Sequence, residues 1–233
     1  MNKIISISGF DGAGKTTQLQ LLRNTFIDRG LKTASIFDIK NDEHYANVGE
    51  LDEYKEYFSS ADVVFTRFYL RSAKTVSLQN YVMFNDDTVF EDFETVYELF
   101  TSAKHDAKLW FEVVINWLCE EDKIIIFDRY YHDEVAYRSL YSLDFKELLT
   151  EYTGTIFEPV ISFYLKLPIE NIINRNETRD DKNTILFNSP KKLEQLFSNY
   201  ERLTKDTALT VIDGTENIEL IHEKIMRTVD NMV

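Results

Sequence analysis

The chain has 233 residues, a net charge of −14 and 44% apolar residues. That size suits one α/β domain with a substantial core, and the apolar share excludes a disordered chain. The acidic balance excludes a general affinity for nucleic-acid backbones, and one cysteine, Cys119, excludes an internal disulfide.

Residues 4–8 predict the first strand and residues 15–29 the first helix, whose Leu19, Leu22 and Phe26 share a face. Gly30 ends that helix, where a glycine is favoured. Residues 32–38 predict a second strand. Residues 41–60 are acidic and poorly patterned, and read as a loop with one surface helix. Residues 61–79 predict a helix, with Val64, Phe65, Phe68 and Val76 at core spacings. Residues 93–120 predict a long helix: Val96, Leu99, Phe100, Ala103, Ala107, Trp110, Val114 and Trp117 recur every three or four residues, and Cys119 reads as a core residue near its end.

Residues 124–127 are a continuous apolar run, as in a strand buried on both faces of a parallel sheet. Residues 131–152 read as mostly helical and 160–167 as another buried strand. Pro168 opens a helix that runs into a polar segment at 175–188. Ser189-Pro190 begins a further helix, residues 208–212 form the last strand, and residues 217–231 the last helix. The alternation predicts an α/β fold with a five-stranded parallel sheet sandwiched between helices, in a single domain spanning 1–233.

Gly9-Phe10-Asp11-Gly12-Ala13-Gly14-Lys15-Thr16 fits G-x-x-x-x-G-K-[ST], directly after a strand and before a helix. In that context it reads as a phosphate-binding loop. Backbone N–H groups of Gly12, Ala13, Gly14, Lys15, Thr16 and Thr17 are expected around the phosphates, where the helix N-terminus adds positive charge. Lys15 would reach the terminal phosphates and Thr16 would ligate Mg²⁺.

Such a loop needs an acidic partner at the end of another strand. Asp128 ends the run Ile124-Ile125-Ile126-Phe127, which places it at the mouth of the sheet as a second Mg²⁺ ligand, with helix capping as its bland reading. Arg129 follows and could touch a phosphoryl group in flight. Arg175 and Arg179 are four apart, with Lys182 beyond, in a segment suited to close over phosphates as a lid at about 175–190; a solvated, ion-paired face is the alternative.

These features together resemble the thymidylate kinase branch of the P-loop nucleoside monophosphate kinases. Gly12-Ala13-Gly14-Lys15-Thr16-Thr17-Gln18 is similar to the family's P-loop, and Leu99-Phe100-Thr101-Ser102-Ala103-Lys104 to its Leu-Phe-Ala-Ala-Asp-Arg segment. Asp128-Arg129-Tyr130 with Ala136-Tyr137 resembles its Asp-Arg-Tyr and Ala-Tyr-Gln. Tyr200 and Ile212-Asp213 fall where the family has the end of its lid helix and its last strand. The resemblance implies the P-loop nucleoside triphosphate hydrolase-type kinase fold, ATP as phosphoryl donor with Mg²⁺, and a homodimer. It implies that Asp11 bonds the acceptor's 3′-hydroxyl, that Lys15 and Arg129 handle the transferring group, that Phe100 stacks on the base beside Lys104, that Tyr137 packs against the sugar and base, and that Arg175 and Arg179 belong to the lid.

The departures lie on the acceptor side. The family's Arg-Glu-Pro-Gly is missing after the second strand, its base-reading Arg is Lys104, its serine pair is Asp133-Glu134, and its Gln after Ala-Tyr is Arg138. Residues 42–92 read as a variable insertion. Within it, Arg67, Arg71 and Lys74 would share one helical face, either as a solvated stripe or as a site for the acceptor's phosphate. His105 and His132 read as polar helix or loop residues rather than catalysts.

Three functions follow from this reading. The first is transfer of the ATP γ-phosphoryl to dTMP or a related monophosphate. The second is a deoxynucleoside kinase, for which Asp38 is the available base. The third is a nucleotide-binding regulatory protein with little turnover. The chain enters its first strand directly from Met1 and has no apolar run near ~18 residues, so the cytoplasm is the expected compartment. The expected partners are small nucleotides, with neither nucleic acid nor membrane.

Overall fold

The computed structural model describes residues 2–39, 54–68, 72–84, 93–113, 122–141, 143–177 and 189–231. Cys119, Trp117, Arg71, Arg179 and Lys182 lie outside them, as does most of the expected lid.

Six parallel strands form one sheet in the order β2-β3-β4-β1-β5-β6. They are β1 (Lys3–Ser8), β2 (Thr33–Ser35), β3 (Val63–Arg67), β4 (Ile124–Asp128), β5 (Ile161–Lys166) and β6 (Leu209–Asp213). The helices are α1 (Lys15–Asp28), α2 (Ile36–Ile39), α3 (Lys55–Ser59), α4 (Ala73–Phe84), α5 (Phe93–Val113), α6 (Tyr131–Arg138), α7 (Phe145–Thr153), α8 (Ile169–Glu177), α9 (Pro190–Asp206) and α10 (Ile218–Asp230). The chain leaves β1 toward β2, β3 and β4 on one side, and returns past β1 to β5 and β6 on the other. The crevice at the C-terminal end of β1 is therefore the topological switch point, where open α/β sheets bind ligands.

The predicted five strands become six because β3 lies inside the segment expected to be helical, residues 61–79. Its Val63, Val64, Phe65 and Thr66 are all buried, since β3 lies between β2 and β4 within the sheet and α1 and α2 pack against it. A strand covered on both faces does not alternate, so a short apolar run there mimics helical spacing. The second strand is shorter than 32–38, turning helical at Ile36. The helical stretch 131–152 is two helices, α6 and α7, separated by a 3-10 turn at Ser139–Tyr141. Asp144 starts α7 by accepting from the N–H groups of Lys146 and Glu147, both at 2.9 Å. Over its described length the expected α5 core face holds: Val96, Leu99, Phe100, Ala103, Ala107 and Trp110 are all buried, and Val114 and Trp117 lie outside the described residues.

Gly9 is where the sheet meets the loop. Its φ is +144°, and a Cβ there would lie 2.9 Å from the Leu165 carbonyl oxygen on β5. Gly30 also has positive φ, +82°, but a Cβ there would meet nothing within 4 Å. Gly30→Ala is therefore expected to cost about 1 kcal/mol, the conformational term alone. Gly9→Ala should cost about 3 kcal/mol or more, because it adds a clash with backbone. Urea unfolding of both variants checks this, and equal losses would contradict it.

Candidate functional site

The loop from Gly9 to Thr16 joins β1 to α1. Gly14, at φ +96°, caps α1 in a left-handed conformation that an L side chain rarely adopts. Phe10 anchors the loop from below: it is fully buried, 5.4 Å from the Tyr200 ring of α9, which stacks in turn on Tyr164 of β5 at 4.6 Å. Lys15 folds back on the loop, its ammonium donating to the carbonyls of Gly9 and Phe10, each at 2.8 Å. Burial lowers its pKa to about 8; the Arg129 charge adds to this, and Asp11, Asp128 and Asp133 offset part of it.

Opposite the loop, β4 ends at Asp128, paired in register with Ile7 of β1 and Arg67 of β3. Asp128 Oδ1 is buried with no hydrogen-bond partner among the described residues. An orphaned carboxylate oxygen at the strand end paired with β1, which leads into the loop, fits a hard divalent cation. The next residue, Arg129, takes a left-handed φ of 68°. Its guanidinium donates to the Gly9 carbonyl at 3.0 Å, to Asp133 at 2.9 Å and to Asp11, and lies 5.5 Å from the Tyr137 ring centre. Burial acts against this charge, but Asp11 and its neighbours outweigh it and hold the pKa well above its ordinary value. Arg175 of α8 reaches the same loop, donating to the Gly12 carbonyl at 3.1 Å and to the Gly214 carbonyl at 3.4 Å.

Asp11, Lys15, Asp128, Arg129, Tyr137 and Arg175 thus come together around one loop. A profile of the family described as thymidylate kinase matches residues 54–225. The chain belongs to the thymidylate kinase family. It is 25% identical to a probable thymidylate kinase of Thermococcus kodakarensis, over 98% of both chains. It is 24% identical to a thymidylate kinase of Kosmotoga olearia, over 96% of this chain and 93% of that one. It is 26% identical to probable thymidylate kinase 1 of Saccharolobus solfataricus, over 98% of this chain and 97% of that one. The family match takes in residues 54–92, the greater part of the segment expected to be a variable insertion.

Phe100 and Lys104 both lie on α5. Phe100 is only 4% exposed, edge-on to Tyr152 at 5.8 Å, and Lys104 lies 5.5 Å from its ring centre while pairing with Glu151. The basic stripe expected from Arg67, Arg71 and Lys74 does not form as one helical face. Arg67 ends strand β3, whereas Lys74 is on α4, in an exposed ion pair with Glu98 at 2.9 Å. A strand advances about 3.3 Å per residue and alternates its side chains, so helical spacing does not align them. Arg67 nonetheless lies at the mouth, across from Asp128, with its guanidinium 5.2 Å from the Phe37 ring centre.

Asp133 and Glu134, which stand in the sequence only as departures from the family's serine pair, have definite partners. Asp133 is 3% exposed and accepts from Gly9 N–H, Arg129 and the Tyr200 hydroxyl. Its carboxylate is held below its ordinary range: burial opposes this, but the Arg129 and Lys15 cations and hydroxyl donors outweigh it. Glu134 pairs with Arg138 one helical turn on, at 3.0 Å, so two departures from the family's motif satisfy each other on α6. Asp38 is clamped by Arg23 at 2.7 and 2.5 Å and by the Tyr57 hydroxyl at 2.6 Å. The Arg23 hydrogen bonds, first among these effects, lower its pKa and make it a poor proton acceptor.

His132, expected as a polar helix or loop residue, is on α6, is 2% exposed and stacks on Tyr131 at 4.0 Å. Burial lowers its pKa from 6.5 to about 4. The unfolded chain then binds more protons between those values, so stability is lost as pH falls from about 6.5 to 4, by about 3 kcal/mol from this group. His132→Phe keeps the stacked ring and should lose correspondingly less over that range in urea titrations. Parallel pH profiles for the two proteins would contradict the assignment.

Proposed function

We propose that the chain transfers the γ-phosphoryl of ATP to dTMP. The observation that carries this is the convergence of Lys15 and Arg129 on one carbonyl oxygen, that of Gly9, at 2.8 and 3.0 Å. Two cations are thereby held together in a phosphate-binding loop, in a chain whose relatives are named thymidylate kinases. Phosphoryl transfer involves little covalent chemistry for a protein to perform. Its barrier falls mainly through positioning and fixed positive charge around the moving group.

In this reading an oxygen of the acceptor's phosphate attacks the γ-phosphorus, the bond to the β–γ bridging oxygen breaks, and ADP leaves. The N–H groups from Gly12 to Thr17 and the Arg175 guanidinium hold the donor's phosphates, with Arg179 beyond the described residues. Lys15 and Arg129 exchange backbone carbonyls for phosphoryl oxygens. Thr16 and Asp128 would hold Mg²⁺, which when bound neutralises phosphate charge. Asp11 gives up Arg129 for the acceptor's 3′-hydroxyl. Arg67 faces the acceptor's phosphate, with Arg71 outside the described residues, and Phe100, Lys104 and Tyr137 line the nucleoside. Residues 1–233 act as one kinase domain; a homodimer in the cytoplasm is proposed on the resemblance alone.

Transfer to a nucleoside hydroxyl is less favoured, because Asp38 is tied to Arg23 and Tyr57. Incubation with Mg-ATP and a panel of nucleosides and monophosphates, with ADP release measured, tests the reading. Turnover on dTMP but not on thymidine is expected, and the reverse would overturn it. Binding of ATP with no turnover on any acceptor would favour a regulatory role. In the same assay Lys15→Ala and Arg129→Ala should lower kcat by about 10²-fold or more. Arg67→Ala should raise KM for dTMP and leave that for ATP nearly unchanged.

A further inference from the structure

The proposed reaction makes no use of Asp133, yet this side chain has four polar partners among the described residues beside the loop. Its Oδ1 accepts from the Gly9 N–H at 3.2 Å, Arg129 Nη1 at 2.9 Å and the Tyr200 hydroxyl at 2.7 Å. Its Oδ2 accepts from the Tyr130 N–H at 3.1 Å. The donors come from the exit of β1, the junction of β4 and α6 on which Asp133 itself lies, and the middle of α9. One buried carboxylate therefore fixes three segments relative to each other.

The acceptors around Arg129 differ in their access to solvent. The Asp11 side chain is 37% exposed and that of Asp133 is 3% exposed. A phosphoryl group arriving at the guanidinium can displace Asp11 but cannot reach Asp133. Tyr200 is equally confined: it is fully buried, stacked on Tyr164 and packed against Phe10, so its hydroxyl has no room to swing away.

We propose that Asp133 is a positioning residue that keeps the Arg129 guanidinium aimed through turnover, and that Tyr200 makes this aim depend on the seating of α9. The proposal rests on the assignment of Arg129 to the transferring group. A misaimed guanidinium weakens the transition state more than either bound substrate, so the loss falls on the rate of the chemical step and not on binding.

Asp133→Asn keeps the size and one acceptor but removes the charge; Tyr200→Phe removes a single hydroxyl. Single-turnover rates with Mg-ATP and dTMP should fall about 30-fold or more for Asp133→Asn and about threefold to tenfold for Tyr200→Phe. KM values for both substrates should stay within about twofold. Wild-type rates in both variants, assayed well below their Tm, would overturn the proposal, as would losses confined to Tm or to KM. If Asp133→Asn does not fold, Tyr200→Phe decides alone. If the wild-type chain fails to phosphorylate dTMP, the proposed reaction falls, and the aim of Arg129 is then read by NMR. Separate, slowly exchanging guanidinium signals, assigned through Arg129→Lys, should be present in the wild type and averaged in the Asp133 or Tyr200 variant. Identical signals would overturn the positioning role.

Discussion

The arrangement around the loop depends on a buried charge that must be compensated. Asp133 sits under the first turn of the phosphate-binding loop with almost no access to water. A carboxylate placed there is costly unless cations and N–H or O–H donors surround it. Arg129, Gly9, Tyr130 and Tyr200 meet that demand, and in doing so they bring the ends of β1 and β4 against α9. Arg129 takes a left-handed backbone conformation to reach it. Such strain persists only where the surroundings over-determine the position.

Two consequences follow for the chemistry. The site is self-neutralised at rest: Lys15 lies on loop carbonyls and Arg129 on carboxylates and a carbonyl. An incoming phosphate therefore replaces existing partners rather than meeting bare charge. Of the two carboxylates on Arg129, Asp11 is the more exposed and Asp133 is buried, so an exchange at Asp11 need not disturb the contact with Asp133. Glu134 and Arg138 satisfy each other within α6, and Lys104 is paired with Glu151. These side chains depart from the family's motif, yet they have partners inside the protein.

The parts legible in the sequence are those governed by local rules. The loop motif specifies its own backbone, a buried β4 shows as an apolar run, and the amphipathic spacing of α5 predicted its buried face. The strand β3 was hidden because a strand covered on both sides lacks the alternation that distinguishes it from a helix. That error carried Arg67 onto a helical face with Lys74, although the position of Arg67 at the strand end still brings it to the mouth. Asp133 was read only as a departure from a serine. Its partners Gly9 and Tyr200 are 124 and 67 residues away, and no spacing rule joins them. The one available signal was an acid four residues after Arg129, which is the ordinary spacing of a helical ion pair.

The most direct measurement is a crystal structure with a bisubstrate analogue in which adenosine and thymidine are joined through a polyphosphate chain. The account predicts adenosine phosphates in the loop, the thymidine half toward Phe100 and Arg67, and Arg129 moved from Asp11 onto the bridging phosphate while still bonded to Asp133. An Arg129 side chain turned away from the phosphates, or a thymidine half outside the crevice, would contradict it.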